Sequence, residues 1–193
     1  GIEARTGLKV TGMRRAEIAI LPLPRISLSD VSFVDPQGVL SGKAARLRAR
    51  ARLLPLIGGQ LDFDRIDLVA PEIDVAAGNS GGSYALWLDR VLGYLARLDS
   101  QTRLVLNSGS VMMRSDSTVL TTLRDVNLLI EERTAQAPVA LAGSFTWRGE
   151  VSTGRLEVLS DTPVGAFPCK QVRLTLTKGE ESRDALGLYC KGK

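Results

Sequence analysis

Lys43-Ala44-Ala45-Arg46-Leu47-Arg48-Ala49-Arg50-Ala51-Arg52-Leu53 is the stretch that decides the fold class. Successive side chains of an extended chain point to opposite faces. Ala45, Leu47, Ala49, Ala51 and Leu53 therefore make an apolar face, and Arg46, Arg48, Arg50 and Arg52 a basic one. A helical period of 3.6 would mix the two sets, so the segment is a half-buried β-strand.

Working outward, Pro55 and Gly58-Gly59 predict a turn, after which Leu61 and Phe63 alternate with Asp62 and Asp64, and Ile66 and Leu68 continue the run. Paired side by side, the two strands set arginines against aspartates, which relieves the repulsion along the arginine stripe. Further strands are expected at Ile26 to Phe33, Glu72 to Val75, Arg103 to Leu106, Val111 to Arg114, Asp125 to Ile130, Val139 to Trp147, Arg155 to Leu159, Val172 to Thr177 and Ala185 to Cys190. Asn107-Ser108-Gly109-Ser110 carries the residues of a hairpin turn. The alternation changes phase at Ser29-Asp30 and at Arg65, as bulges that curve a sheet would make it do.

One segment follows a different period. From Tyr84 to Leu98 the apolar residues Tyr84, Trp87, Leu88, Val91, Leu92, Leu95 and Leu98 fall on one helical face, with Asp89, Arg90 and Arg97 opposite. Ser83 supplies an N-cap, so the spacing predicts an amphipathic helix over 83–98. The alternation implies a mainly β architecture of about ten short strands, antiparallel and bent by bulges, with one amphipathic helix, all in a single unit spanning residues 1–193.

Composition narrows the chemistry. The chain has 193 residues, 44% apolar and 24% charged, which suits a folded segment. It contains no histidine and two cysteines, so Ser-His-Asp and Cys-His catalysis and a structural zinc site all lack their residues. The acids are spread along strand-like runs instead of gathering in short motifs, and we expect neither an enzyme nor a cofactor nor a metal. A net charge of +4 is compatible with an anionic partner, but aromatic residues are only 5%, and no basic run is interleaved with stacking aromatics; nucleic acid is not an expected partner. The longest apolar candidate for a membrane span, Ile18 to Leu23, is short and broken by Pro22, and Pro24 follows it.

Cys169 and Cys190 flank the turn at Gly179-Glu180-Glu181 almost symmetrically, so a hairpin would bring them face to face. A disulfide there implies an oxidising compartment; two buried thiols in a cytosolic protein are the other reading.

The order of several short motifs resembles the N-terminal region of AsmA-like proteins of the Gram-negative envelope. The pieces are Thr6-Gly7 with Val10 and Gly12, then Leu21-Pro22-Leu23-Pro24-Arg25-Ile26-Ser27-Leu28-Ser29-Asp30-Val31, then Leu54-Pro55-Leu56-Ile57-Gly58-Gly59 and Ile66-Asp67-Leu68-Val69-Ala70-Pro71-Glu72-Ile73. Leu104 to Met113 and Leu123 to Leu128 resemble the strands that follow, and the likeness covers about residues 4–148. The resemblance implies a protein on the periplasmic side of the inner membrane, anchored by a helix preceding Gly1 and related to bridge-like lipid carriers with chorein-type starts. It implies the fold, an elongated, curved, open antiparallel sheet forming a U-shaped groove, together with a phospholipid or other membrane lipid as partner and a part in outer-membrane biogenesis.

On that reading the apolar strand phases hold acyl chains. The candidate groove residues are Leu47, Ala49, Leu53, Leu61, Phe63, Ile73, Val75, Leu104, Leu106, Leu128, Ile130, Phe145 and Trp147. Two alternatives remain open at this level: a scaffold for outer-membrane assembly acting through contacts with other envelope proteins, and an anion or polysaccharide binder using the Arg46 to Arg52 face.

Overall fold

The computed structural model describes residues 8–20, 22–35, 40–60, 62–76, 103–115, 118–131, 139–161, 164–165 and 169–190. They form one open sheet of eleven strands, not closed into a barrel. The strands are β1 (Lys9–Gly12), β2 (Arg15–Ala19), β3 (Arg25–Val34), β4 (Leu40–Ala51), β5 (Phe63–Ala76), β6 (Arg103–Ser115), β7 (Thr118–Glu131), β8 (Val139–Trp147), β9 (Glu150–Asp161), β10 (Cys169–Lys178) and β11 (Glu181–Cys190). A single short helix, α1 (Leu53–Ile57), follows β4 among the described residues. The helix expected over 83–98 lies outside the described residues.

From β3 to β11 each strand lies beside its successor, while β1 and β2 share the outer edge of β3. Every pairing is antiparallel except β5 with β6, which run parallel in the register Ile66 to Leu104 and Ile73 to Val111.

Alternation sorts the strands as expected, with two corrections. Leu47, Ala49 and Ala51 are buried between exposed arginines, but Ala45 is exposed and Ala44 takes the inner position. The second correction concerns Asn107 to Ser110, which is not a hairpin turn, because β6 runs straight through it. The same tolerance for left-handed backbone that marks a turn here marks a bulge: Ser108 sits at φ 53.

That bulge belongs to a line crossing the sheet. Buried inner residues stand three apart instead of two at Leu28/Val31, Ala44/Leu47, Leu68/Pro71 and Leu106/Gly109, and the inward side chains Leu123 and Val126 are spaced the same way in β7. Each of β3 to β7 therefore holds one extra residue at one level. In four of the five strands a non-glycine residue takes up a left-handed conformation there: Asp30 (φ 51), Ala70 (φ 48), Ser108 (φ 53) and Asp125 (φ 49). Registers align the row, since Ser29–Arg46 and Val31–Ala44 flank the first pair of extra residues, and Arg46–Val69 and Ala44–Pro71 flank the next. The break between β1 and β2 falls at the same level. On β8 the extra residue is lost, and the register shifts between Arg124 and Asn127.

Side chains hold this crease. The Asn127 amide oxygen accepts the Ser108 N–H at 2.9 Å, its NH₂ donates to the Asp125 carbonyl at 2.9 Å, and the Thr146 hydroxyl donates to the Asp125 carboxylate at 3.2 Å. On the inner side Val31, Pro71 and Val126 are almost fully buried. Gly109 is required there, because a Cβ would stand 2.9 Å from the Pro71 ring. Bulged strands bend, and a row of bulges at one level bends the whole sheet along one line. This gives the expected curvature a specific place.

The run after Gly59 also differs from expectation. β4 ends at Ala51, Leu53 to Ile57 turn into α1, and β5 continues through Pro71 as one strand instead of stopping at Leu68. The phase change expected at Arg65 is present, as Phe63 and Ile66 are both buried and the register shifts between Arg50 and Ala51.

Candidate functional site

The inner face of the bent sheet carries an apolar cavity of about 360 Å³. Its walls are contributed by β3 to β10, from Phe33 through Leu106 and Leu128 to Leu176. Seven interstrand steps of about 4.8 Å separate β3 from β10, roughly 34 Å along the sheet. The cavity therefore runs across the strands. Apart from two glycines, every lining residue but Thr121 and Arg155 is apolar, and the Arg155 guanidinium is engaged by Glu157 at 2.7 and 2.9 Å.

The crease divides the lining. On one arm stand Leu104, Leu106, Leu128, Ile130, Leu141 and Leu156; on the other Ile73, Val75, Met113, Leu123, Phe145 and Trp147. Trp147 marks the end of the second arm at the two-residue β8–β9 turn, whose Arg148 and Gly149 both have positive φ. Its indole N–H donates to the Thr121 hydroxyl at 2.9 Å, and the Arg148 guanidinium lies 4.9 Å from the ring centroid. The ring is thus fixed in orientation while 40% of its surface stays exposed. Gly143 keeps the wall open, because a Cβ there would press on the Asn127 carbonyl and stand 2.7 Å from Leu128.

Of the residues expected in the groove, Ile73, Val75, Leu104, Leu106, Leu128, Ile130, Phe145 and Trp147 line the cavity together. Leu47, Ala49 and Phe63 are buried, at 4%, 0% and 1% exposure, and do not line the cavity. Leu53 lies on α1, exposed and away from the cavity. Leu61 lies outside the described residues. Sequence reasoning missed the other lining residues, among them Leu8, Phe33, Leu40, Met113, Leu123, Leu141 and Leu174. Leu141 had a usable signal, as it sits in phase with Phe145 and Trp147, both already read as inward.

On the outer face the arginine stripe finds acids across β4 and β5. Arg50 grips the Asp64 carboxylate through Nε and Nη2 at 2.8 and 2.7 Å, and Arg52 reaches Asp62 at 3.3 Å. The Arg50 hydrogen bonds hold Asp64 below the usual carboxylate range, outweighing the desolvation that pushes the other way. The same bonds raise Arg50, and those from Asp67 raise Arg65. Such exposed pairs each contribute about 0–1 kcal/mol.

At the last strand pair, Cys169 is disulfide-bonded and buried, and the register sets it opposite Cys190, the second of the chain's two cysteines. Among the described residues no group of three or more Cys, Asp or Glu is placed to hold a metal, and no helix is long and apolar enough to cross a membrane. No protein-family model matches the chain, and no curated protein matches it.

Proposed function

We propose that the protein is a non-enzymatic lipid-binding or lipid-transfer module of the Gram-negative envelope, sheltering acyl chain in the apolar cavity on the inner face of its sheet. The observation that carries this reading is the cavity lining: an almost unbroken apolar wall contributed by eight strands, in which Arg155, paired with Glu157, is the one charged side chain among the described residues. Its volume falls in the range of about 300–1,000 Å³ typical of small-ligand sites. At about 0.8 kcal/mol per buried methylene, ten methylenes would contribute on the order of 8 kcal/mol before the loss of ligand freedom reduces it. A wall that runs across strands without polar interruption also suits sliding, since successive positions along it are chemically alike.

The oxidised Cys169 supports an exported location, because cytosolic thiols are kept reduced. That agrees with a site on the periplasmic side of the inner membrane, reached by an anchor preceding Gly1, and with kinship to AsmA-like proteins. The test is native mass spectrometry of protein purified from a Gram-negative periplasm, followed by extraction and identification of lipid. Co-purified phospholipid, lost in Leu141→Asp and Phe145→Asp variants that remain folded, is the expected result. Lipid-free, well-folded protein would end the groove reading.

A second reading, a scaffold for envelope assembly, is favoured by β11. This ten-residue strand pairs with β10 on one side, and it exposes Leu186 and Leu188. A long edge of that kind is a template for strand addition by a partner.

A further inference from the structure

The two edges of the sheet are not alike. At one, β1 and β2 are short, interrupted at Met13 and Arg14, and charged through Lys9, Arg15 and Glu17, all of which blunt an edge against further pairing. The other edge, β11, is long and regular. It pairs with β10 in unbroken register from Glu181 to Cys190, contains no proline and no residue of positive φ, and carries no charge from Ala185 to Cys190. Along it Leu186 and Leu188 are 63% and 50% exposed.

The hairpin fixes which backbone groups are free. The two-residue turn Gly179-Glu180 makes Lys178 and Glu181 the first pair to exchange hydrogen bonds, and such pairs alternate along antiparallel strands. Odd-numbered residues of β11 therefore bond to β10, while Asp184, Leu186 and Leu188 point their N–H and C=O groups outward. The faces are fixed as well. Ala185 and Gly187 stand opposite Leu174 and Val172 on the inner face, and Leu186 and Leu188 opposite Arg173 and Gln171 on the outer one.

We infer that β11 pairs with β11 of a second copy of this chain, antiparallel about a two-fold axis through Gly187, so that the two sheets become one. Self-complementarity selects this occupant and this register. Centred on Gly187, the pairing sets Leu186 against Leu188 of the second copy and Leu188 against its Leu186, so both exposed leucines are covered and outward backbone groups meet outward ones. Centred on Leu186 it would set Leu188 against Asp184, and centred on Ala185 it would set Leu186 there. A slip of one residue would turn the inner face of one sheet to the outer side of the other. The blunted β1–β2 edge does not accept β11, so head-to-tail growth is disfavoured and the two-fold pair closes. Both cavities then open on the same side, their β10 walls three interstrand steps, or about 14 Å, apart. The inference rests on the free β11 edge noted above and not on the groove.

The experiment is sedimentation equilibrium of the full chain over a range of concentrations, with circular dichroism to confirm folding. The parent should be a dimer. A Leu186→Lys, Leu188→Lys pair should raise the dimer Kd by about a hundredfold or more, since exposed lysines are what protects natural edges. Leu188→Pro, which removes an outward N–H and spares the bonds to β10, should raise it by about tenfold or more. Leu54→Asp, on the exposed α1, should leave it unchanged. A parent that is monomeric up to about 0.1 mM overturns the inference while leaving the scaffold reading standing. A dimer that neither β11 variant weakens, one that Leu54→Asp dissociates, or assembly beyond the dimer overturns it too.

Discussion

Ala70 offers a direct test of the crease, because the usual preference of a strand position is reversed there. It is exposed, it lies inside β5, and its φ is 48. At an ordinary exposed strand position, Ala→Val is favourable by up to about 1 kcal/mol, because branched side chains suit extended backbone. In left-handed backbone the sign changes: an L side chain costs about 1–2 kcal/mol, and a β-branched one sits at the top of that range or beyond. Ala70 already bears the cost of an L side chain, so with no burial to offset it Ala70→Val should destabilise by the excess of a branched side chain, about 1 kcal/mol. Ala70→Gly, which relieves the strain but frees the unfolded chain, should stay within about 0.5 kcal/mol of the parent. Urea unfolding measures both. The midpoint should fall for the valine variant at unchanged slope, and its Tm by about 2–4 °C for a chain of this size. A valine variant as stable as the parent, with glycine the worse of the two, would mean that β5 is an unbroken extended strand and the crease reading is wrong.

Other outcomes follow from the same contacts. Gly109→Ala should cost about 1–3 kcal/mol through collision with the Pro71 ring, read as a lower unfolding midpoint. Replacing Cys169 and Cys190 together by alanine should remove about 3 kcal/mol, and reductant should lower the midpoint of the parent but not of that variant. Asp64, whose folded pKa is depressed by Arg50, lends stability that is present above its unfolded value near 3.8 and is lost as pH falls through the depressed folded value. Asp64→Asn should therefore lower stability at neutral pH by no more than about 1 kcal/mol, solvent screening included, and the gap to the parent should close below about pH 4 in acid titrations followed by circular dichroism.

The sequence-level reading succeeds where one physical rule acts alone. Leu47, Ala49 and Ala51 alternate with arginines, and one inward phase is the only arrangement that buries them. Cys169 and Cys190 are equidistant from Gly179-Glu180, so the hairpin register follows from counting. It fails at the crease, where two structures share one signature. Asn and Gly near Ser108 tolerate left-handed backbone equally in a turn and in a bulge, and Ala70 has no preference that could reveal it. A missed bulge puts the residues on its two sides out of phase, which is how Met113, beyond Ser108 in β6, and Leu123, before Asp125 in β7, escaped notice. Leu47, Ala49 and Phe63 fail differently, because an inward position looks the same in sequence whether neighbouring side chains fill the space or leave it open.

The crease also restricts how this chain can change over generations. Loss of one residue from β5 near Ala70 would restore plain alternation in that strand, and would turn either Ile66 and Leu68 or Ile73 and Val75 outward while β4 and β6 kept their own extra residue. No single deletion is neutral, and none can be rescued by a change of side chain. Length at this level is inherited by five strands jointly, so descendants should keep the count of residues across the crease more faithfully than they keep the residues themselves.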